Sequence, residues 1–413
     1  MTNGTTYFYV ITAANGNALE STPSNEANAT PAFVVEPPNI VFIIADDMDT
    51  YTVNACRLSE PAETDTAGNP YPIDTPNIDR LATEEMLFHQ ARLMRANSGA
   101  ACTRSRTCIM TGKNSWERTN GVNATTTFLG IFNTGIRTGF SPLPHATYRT
   151  CKNGNSYATA NNEFTIVNDA TKRGNTNSNG SEWHGDRALE HIEHWRTDHR
   201  PTGKPFLMYF GFSHPHDERN SRASLTARYG IINTTTPGTV MLNNAAPPLP
   251  YNHLPIAEAT GIPSNYPFHP FDHGHLNVRD ENLAPGILQY RNEAETRNEI
   301  GRNFACVDWI DQQIGRVFAK LEDSDGDGNT SDSVLDNTNI VFTSDHGIAI
   351  GRHGLQGKQN LYEHTWRVPY IVRGPGIAPG SHSDALIYLH DSFPTFADLA
   401  GIDLPATIDA NDG

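Results

Sequence analysis

The stretch Pro38-Asn-Ile-Val-Phe-Ile-Ile-Ala-Asp-Asp47 decides the fold. Within it, Ile40 to Ile44 form a five-residue apolar run, which is typical of a strand buried on both faces. Such strands occur in parallel sheets, because the crossover connections place helices over both faces. The stretch therefore predicts an α/β fold in which helices flank a mostly parallel central sheet.

The chain beyond this stretch alternates helical periodicity with apolar runs, as crossover connections require. Pro76 is predicted to open a short helix, with Thr75 as its N-cap and with Ile78, Leu81 and Ala82 on its inner face. Two further helices are predicted at residues 188–195 and 300–321, each leading to a strand, at residues 206–212 and 340–343. Residues 213–290 lack periodicity, and we expect long loops over the mouth of the sheet.

The first 32 residues differ in pattern and read as two strands joined by a turn. The phrases Asn3-Gly-Thr-Thr-Tyr-Phe-Tyr-Val-Ile-Thr-Ala13 and Ser21-Thr-Pro-Ser-Asn-Glu26 resemble the last two strands of a fibronectin type III domain. We therefore expect residues 1–32 to be the C-terminal remnant of such a domain, residues 33–38 to be a linker, and residues 39–413 to be a separate domain. On this interpretation, the chain begins inside a larger protein.

Charge and hydropathy exclude several classes of protein. The net charge of −16 disfavours a nucleic-acid partner, because a polyanion is bound through a broad basic face. The chain has no apolar run long enough to span a membrane, and its N-terminus lacks the pattern of a signal peptide. A basic island between Arg92 and Arg118 is a local exception, and it is suited to holding a small anion.

Polar residues directly follow three predicted strands, namely Asp46-Asp47, His214-Pro-His216 and Asp345-His346. Ligands of open α/β sheets bind beyond the carboxyl ends of the strands, so three such endings predict one common site. Asp46, Asp47 and Asp345 offer the hard oxygen ligands that select Ca²⁺ or Mg²⁺, and His346 adds a nitrogen or contacts the substrate. Zinc is the alternative because the chain has 17 histidines, but the carboxylate majority and the lack of an HExxH motif favour Ca²⁺.

A second acidic segment imitates the start of an EF-hand loop. Asp323, Asp325 and Asp327 have the spacing of the first ligands of such a loop, and Gly328 follows them. Position twelve of the loop is Val334, where the EF-hand requires a bidentate carboxylate. The segment is therefore better explained as an acidic turn between a helix and a strand.

The segment Cys102-Thr-Arg-Ser-Arg106-Thr-Cys-Ile-Met-Thr-Gly-Lys113 resembles the signature of formylglycine-dependent type I sulfatases, which belong to the alkaline phosphatase superfamily. Other similar segments occur in the family's order: Pro38 to Asp47, Thr75-Pro-Asn-Ile-Asp-Arg-Leu81, Ser344-Asp-His-Gly347, Gly357-Lys-Gln-Asn-Leu-Tyr-Glu-His364 and Arg367-Val-Pro369. The resemblance implies that residues 39–413 are a catalytic domain of alkaline phosphatase/sulfatase-like fold. It also implies that the smaller C-terminal subdomain of the family is missing here.

The resemblance further implies a mechanism for sulfate ester hydrolysis. A formylglycine-generating enzyme would oxidise Cys102 to an aldehyde, whose hydrated form attacks sulfur beside a divalent metal. Arg106 and Lys113 would stabilise the hydrated aldehyde and its developing negative charge. Lys358 would bind the sulfate and help to protonate the leaving alcohol, with His216 as its partner. His214 is the second choice of proton donor and a candidate substrate-binding residue.

Two departures from the family pattern bear on function. Arg104 stands where the modification motif has Pro or Ala, which removes a backbone constraint from the segment that the maturation enzyme must bind. Where the family reads Gly-Lys-Trp-His, this chain reads Gly154-Asn-Ser-Tyr157. Asn155 can still donate a hydrogen bond to the substrate, but it supplies no charge.

Three functions therefore remain open from the sequence. The first is hydrolysis of an organic sulfate ester, with a sulfated small molecule or polysaccharide as substrate. The second is hydrolysis of a phosphate or phosphonate ester with the same metal residues, and the third is an inactive, sulfatase-like binding protein. A long loop from His214 to Asp280, which includes His269, His273, His275 and Arg279, favours a sugar-binding cleft, and the fibronectin-like segment favours a secreted or periplasmic protein.

Overall fold

A computed structural model gives the structure of the chain at residues 7–9, 27–29, 37–57, 71–93, 101–112, 144–152, 164–233, 240–253, 292–353, 355–358 and 360–403. Its strands are β1 (Tyr7–Tyr9), β2 (Ala27–Ala29), β3 (Asn39–Asp46), β4 (Met86–Arg92), β5 (Ala146–Cys151), β6 (Ile166–Asp169), β7 (Phe206–Pro215), β8 (Ile231–Asn233), β9 (Met241–Leu242), β10 (Thr338–Ser344), β11 (Ala349–Ile350), β12 (Gln356–Gly357), β13 (Tyr370–Arg373) and β14 (Ser381–Tyr388). The helices of this part are α1 (Pro76–Glu84), α2 (Ala101–Thr111), α3 (Gly180–Asp198), α4 (Ala223–Arg228), α5 (Glu293–Glu322), α6 (Glu363–Trp366) and α7 (Ser392–Leu399).

Eight of the strands form one central sheet in the order β14-β4-β13-β10-β3-β7-β5-β6. Strand β3 lies between β10 and β7 and pairs with both in parallel. Every neighbouring pair is parallel except the two that involve β13, which runs against β10 and β4. The prediction of an α/β fold with a mostly parallel sheet is therefore confirmed.

The apolar run of β3 explains the layered core. Val41 and Ile43 pack on one side of the sheet, in a cluster with apolar residues of α1, α3 and α5. Ile40, Phe42 and Ile44 alternate with them and pack on the other side, against apolar residues of α2 and α7. Because successive side chains of a strand point to opposite faces, a continuous apolar run is required to bury both.

The predicted helices and strands are present with somewhat wider bounds. The predicted segments at residues 188–195, 206–212, 300–321 and 340–343 correspond to α3, β7, α5 and β10. Part of the region predicted as loops contains α4 and the small antiparallel sheet of β8 and β9, while residues 254–291 lie outside the described residues. The acidic segment at Asp323 forms a turn after α5, as expected.

The N-terminal segment forms a two-stranded antiparallel sheet, in which Tyr7 pairs with Ala29. The two predicted strands are thus present, and their origin in a fibronectin type III domain stays a prediction. Within the part of the chain that the structure describes, no helix combines the length and the apolar character that crossing a membrane requires.

The N-terminus of α1 corrects one prediction. Thr75 occupies the N-cap position, but its side chain makes no capping hydrogen bond. The carboxylate of Asp311, in α5, accepts hydrogen bonds from the backbone nitrogens of Asn77 at 3.0 Å and Ile78 at 2.8 Å instead. The Thr75 hydroxyl donates to Asp79 at 3.1 Å. A residue 234 positions away in sequence therefore caps this helix, which no local pattern reveals.

We predict that Asp311→Ala lowers the free energy of unfolding by about 1–2 kcal/mol, because it removes both the helix cap and a tie between α1 and α5. Urea unfolding measures the loss, at a pH above the value of about 6 to which burial raises the pKa of Asp311. Asp336→Ala is the control, since that side chain is 99% exposed and its removal changes stability by no more than about 0.5 kcal/mol. Equal effects of the two substitutions would contradict the capping role.

Candidate active site

The carboxyl ends of four parallel strands place polar residues at one edge of the sheet. Strand β3 ends at Asp46, and Asp345 follows β10 directly. His216 follows β7, and Lys152 follows β5. Because these strands are neighbours in the order β10-β3-β7-β5, residues from distant parts of the sequence converge over the central strand.

Two consecutive carboxylates, Asp46 and Asp47, both belong to this cluster. Successive residues of a regular strand point to opposite faces, so the backbone must leave the strand between them. Asp47 does so with a φ of 69°, in the left-handed region that non-glycine residues rarely adopt. The backbone nitrogens of Asp47 and Met48 donate to the side chains of Asp345 at 3.2 Å and Ser344 at 3.0 Å, and these bonds hold the strained turn.

Helix α2 brings Cys102 and Arg106 to the cluster from one face, since the two residues are four positions apart. The Cys102 sulfur lies 3.1 Å from Nε2 of His346 and 3.8 Å from Oδ1 of Asp47. Nε of Arg106 donates to Oδ2 of Asp345 at 3.1 Å. The signature segment is therefore in direct contact with the strand-end residues.

The residues predicted to hold a metal are close enough to share one ion. One ligand atom from each of Asp46, Asp47, Asp345 and His346, together with the Cys102 sulfur, lies within 4.8 Å of all the others. The four predicted ligands are 0% exposed, and Cys102 is 1% exposed. Three buried carboxylates around one point attract cations, and their hard oxygens suit Ca²⁺ or Mg²⁺. The donor set thus fits the divalent ion that the sequence predicts.

Basic side chains also surround the carboxylates. Nζ of Lys358 lies 2.5 Å from Oδ2 of Asp47 and 4.0 Å from the Cys102 sulfur. Nζ of Lys152 lies 2.9 Å from Oδ2 of Asp46, and an Nη of Arg106 lies 3.9 Å from the same oxygen. Burial alone would raise the pKa of Asp46, but Lys152, His216 and Arg106 outweigh it and hold that pKa well below its usual range. The Asp46 carboxylate is therefore held in its charged form, which is the form that binds a cation.

Cys102 as a thiol is poorly suited to act as a nucleophile here. Burial raises its pKa well above the usual value, and the nearby Asp46 carboxylate raises it further. The thiolate is the reactive form of cysteine, and this environment disfavours it. The neighbouring carboxylates and burial therefore both disfavour a thiolate at Cys102 when no ion is bound.

His216 and His214, which the sequence places at the same strand end, occupy different environments. Nε2 of His216 lies 3.8 Å from Oδ2 of Asp47, and the attraction of that carboxylate raises the pKa of His216 against the effect of burial. His214 is 0% exposed, its Nδ1 lies 2.9 Å from the Ser181 hydroxyl, and its ring packs against Trp309. The structure thus brings His216 to the carboxylates. His214, near the end of β7, packs instead against α3 and α5.

Two predicted residues, Lys113 and Asn155, lie outside the described residues. The structure adds two that the sequence did not single out, Lys152 and Tyr209. The Tyr209 hydroxyl accepts a hydrogen bond from Arg106 at 3.2 Å and so fixes the guanidinium that contacts Asp345. The sequence analysis does not predict the strand that precedes Lys152, so the position of this lysine at a strand end was not apparent.

Comparison with protein families decides the assignment. The family model described as Sulfatase matches residues 38–402. The chain belongs to the sulfatase family. The match begins at the stretch that forms β3 and covers the described part of the central sheet, so the strand-end cluster lies within the family's own domain.

Several characterised sulfatases are similar to this chain. An N-acetylglucosamine-6-O-sulfatase of Bacteroides thetaiotaomicron is 27% identical, with 90% of this chain and 69% of that protein covered. A choline-sulfatase of Rhizobium meliloti is 30% identical over 51% of this chain and 34% of that protein. The iduronate 2-sulfatase of Mus musculus is 24% identical over 81% and 65%. The chain thus spans 34% to 69% of the length of these relatives.

Solved structures share the fold of this sulfatase. One, determined in complex with its substrate D-glucosamine-2-N,6-O-disulfate, has a TM-score of 0.61 at 22% identity and covers 90% of this chain and 78% of that chain. A phosphonate monoester hydrolase from Silicibacter pomeroyi has a TM-score of 0.57 at 18% identity, with 90% and 75% covered. Because both identities are low, these likenesses concern the fold alone.

We predict that Asp345→Asn weakens Ca²⁺ binding by at least about tenfold, because it removes a charged ligand, and second-shell changes alone cost about 10- to 100-fold. The protein is first freed of metal with a chelator. Isothermal titration calorimetry with CaCl₂ then measures the change in the dissociation constant. Asp384→Asn is the matched control, since Asp384 is exposed and pairs with His89 away from the cluster. An unchanged affinity in Asp345→Asn would place the ion elsewhere.

Proposed function

We propose that this protein hydrolyses a sulfate ester of a carbohydrate, with a formylglycine made from Cys102 as nucleophile and a divalent ion, Ca²⁺ in preference to Mg²⁺, at Asp46, Asp47, Asp345 and His346. The proposal rests mainly on one observation. The cysteine of the signature segment shares a buried cluster with three carboxylates, and all of these groups lie within 4.8 Å of one another. Family membership supports the reaction class.

The ion, when bound, would neutralise the carboxylates and polarise the ester oxygens. The chain's own residues supply the remaining functions. Lys358 is near both Asp47 and the Cys102 sulfur, so its ammonium is placed to bind an ester oxygen next to the nucleophile. Arg106 is held by Asp345 and Tyr209, which fixes a positive charge beside the same point. His216 pairs with Asp47 and is the residue we assign to protonation of the leaving alcohol.

Formylglycine would supply a hydrated aldehyde, which is a nucleophile that does not depend on forming a thiolate. Cys102 is 1% exposed in the folded chain, so a formylglycine-generating enzyme has to act before α2 packs against the sheet. Arg104 lies on the same helix with a partly exposed side chain. We assign the effect of Arg104 to recognition of the unfolded segment by the maturation enzyme.

Two of the relatives support a sugar substrate by their names, which specify N-acetylglucosamine-6-O-sulfate and iduronate 2-sulfate groups. A sulfated polysaccharide or one of its fragments is therefore the substrate class that we propose. We further propose a secreted or periplasmic location, because polysaccharides are degraded outside the cytoplasm.

Coexpression with a formylglycine-generating enzyme provides the first test. We expect mass spectrometry of the Cys102 peptide to show replacement of the thiol by an aldehyde, and we expect the purified protein to hydrolyse an aryl sulfate. Cys102→Ala should abolish turnover while leaving the melting temperature in Ca²⁺ nearly unchanged. An unmodified thiol in native material, together with no turnover, would favour an inactive binding protein instead.

Matched esters distinguish the two hydrolase hypotheses. We expect a higher kcat/KM for 4-nitrophenyl sulfate than for the corresponding phosphate monoester or phosphonate monoester, because the proposed substrate is a sulfate ester. The reverse order would favour the phosphate or phosphonate reaction. The phosphonate monoester hydrolase of Silicibacter pomeroyi has a similar fold.

We expect Lys358→Ala to lower kcat by about 10²- to 10³-fold, as removal of one charged donor that stabilises a developing negative charge does. Steady-state kinetics on the aryl sulfate measure the loss. Lys320→Ala is the control, because Lys320 pairs with Glu193 on the surface of α5 and should leave kcat unchanged. A kcat in Lys358→Ala equal to that of the control would remove Lys358 from the mechanism.

A further inference from the structure

Lys152 reaches the carboxylate cluster from a strand that is not adjacent to it. It follows β5, which is separated from β3 by β7 in the order of the sheet. Its side chain extends past the end of β7 and is largely buried, with 8% exposed. Nζ of Lys152 then lies 2.9 Å from Oδ2 of Asp46. A buried lysine in this position is directed at the proposed metal site.

Strand β7, which lies between β5 and β3, leaves space for a basic side chain beside the cluster. Gly211 of β7 lies between the two strands, and a Cβ there would come within 3.0 Å of Arg106 and 2.9 Å of the Cys151 sulfur. A larger residue at position 211 would therefore displace the guanidinium that contacts Asp345. The absence of a side chain at Gly211 therefore leaves the space that the Arg106 guanidinium occupies beside Cys151.

The two cations differ in how firmly they are held. Arg106 bonds to Asp345, Tyr209 and Cys151, so its guanidinium is fixed in several directions. Lys152 forms its ion pair with Asp46, and within the described residues it makes no second one. A flexible side chain with one partner can move when that partner is taken by another cation.

Asp46 belongs both to the ion pair and to the cluster, because its Oδ2 pairs with Lys152 and one of its oxygens lies within 4.8 Å of the other proposed ligands. A divalent ion bound to Asp46, Asp47 and Asp345 and an ammonium on Asp46 would repel one another over a few ångströms in a buried site. With no ion bound, in contrast, Lys152 compensates the charge of Asp46, as Lys358 and Arg106 compensate those of Asp47 and Asp345. The ammonium therefore stabilises the ion-free site and opposes binding of the ion.

We propose that Lys152 is an exchangeable counter-ion of the metal site, which pairs with Asp46 when no divalent ion is bound and is displaced when one binds. Lys152 acts through Asp46 and is a positioning residue that sets the affinity for the ion. The inference rests on the metal site of the proposed function, and it is independent of whether the substrate is a sulfate or a phosphate ester.

The test measures Ca²⁺ binding by the full chain with Cys102 unconverted, so that no catalytic activity is needed. Metal-free protein is titrated with CaCl₂. Lys152→Met should bind Ca²⁺ at least tenfold more tightly than the unsubstituted parent protein, because the competing Lys152 ammonium is gone. Lys152→Arg keeps the charge and should not bind more tightly, and the surface control Lys320→Met should match the parent. An affinity in Lys152→Met equal to or weaker than that of the parent would overturn the proposal.

Thermal unfolding gives a second readout. In chelator, Lys152→Met should melt at a lower temperature than the parent, and Ca²⁺ should raise its melting temperature by more than it raises that of the parent. If Ca²⁺ raises the melting temperature of the two proteins by the same amount, the ion does not displace Lys152.

The parent protein provides a measurement that does not depend on a variant folding. Acylation of Lys152 by an amine-reactive reagent, read by peptide mass spectrometry and normalised to Lys320, should increase when Ca²⁺ is added. Unchanged or reduced labelling would overturn the exchange. If the unsubstituted protein binds no Ca²⁺, both the proposed metal site and this inference are overturned. If it binds Ca²⁺ with an affinity that substitution of Lys152 does not change, this inference alone is overturned.

Discussion

Parallel pairing of β3 with β10 and β7 is the constraint on which the site depends. The pairing places Ala45 beside Ser344 and Asp46 beside Pro215, so the residues that follow each strand leave the sheet at the same level. An antiparallel neighbour on either side would send its polar strand end to the opposite edge of the sheet. The apolar run of β3 is what makes this pairing stable, because only a strand buried on both faces can lie at the centre of such a sheet.

The polar cluster at this edge is tolerable because its charges are balanced. Asp46, Asp47 and Asp345 are fully buried, and an isolated buried carboxylate carries a large desolvation penalty. Each lies within 3.1 Å of a basic nitrogen, contributed by Lys152, Lys358 and Arg106 respectively. Basic residues from three separate elements thus stabilise a site whose acidic residues come from the two central strands.

Much of the fold and part of the site follow from local sequence patterns. The apolar run of β3, the periodic helix α5 and the polar residues at strand ends are each visible within a short stretch, and the structure brings Asp46, Asp47 and Asp345 together. Lys152 and Asp311 escaped prediction because their contacts depend on the order of strands and on packing between helices. Those are properties of the tertiary structure, and a window of sequence around either residue does not contain them.

The environment of Cys102 gives a physical reason for a modified residue at this position. A cysteine that served as a nucleophile in its own right would be placed where positive charge stabilises the thiolate. Cys102 faces Asp47 and His346 as well as the Lys358 ammonium, and burial together with the surrounding carboxylates outweighs that ammonium and raises the pKa of the thiol. A neutral, oxygen-based nucleophile is not opposed by these carboxylates before it reacts, and the negative charge that develops on it can be met by Lys358 and Arg106. The acidic cluster that suits a divalent ion thus disfavours an unmodified thiolate, and this conflict is resolved if the sulfur is replaced by an oxygen before the chain folds.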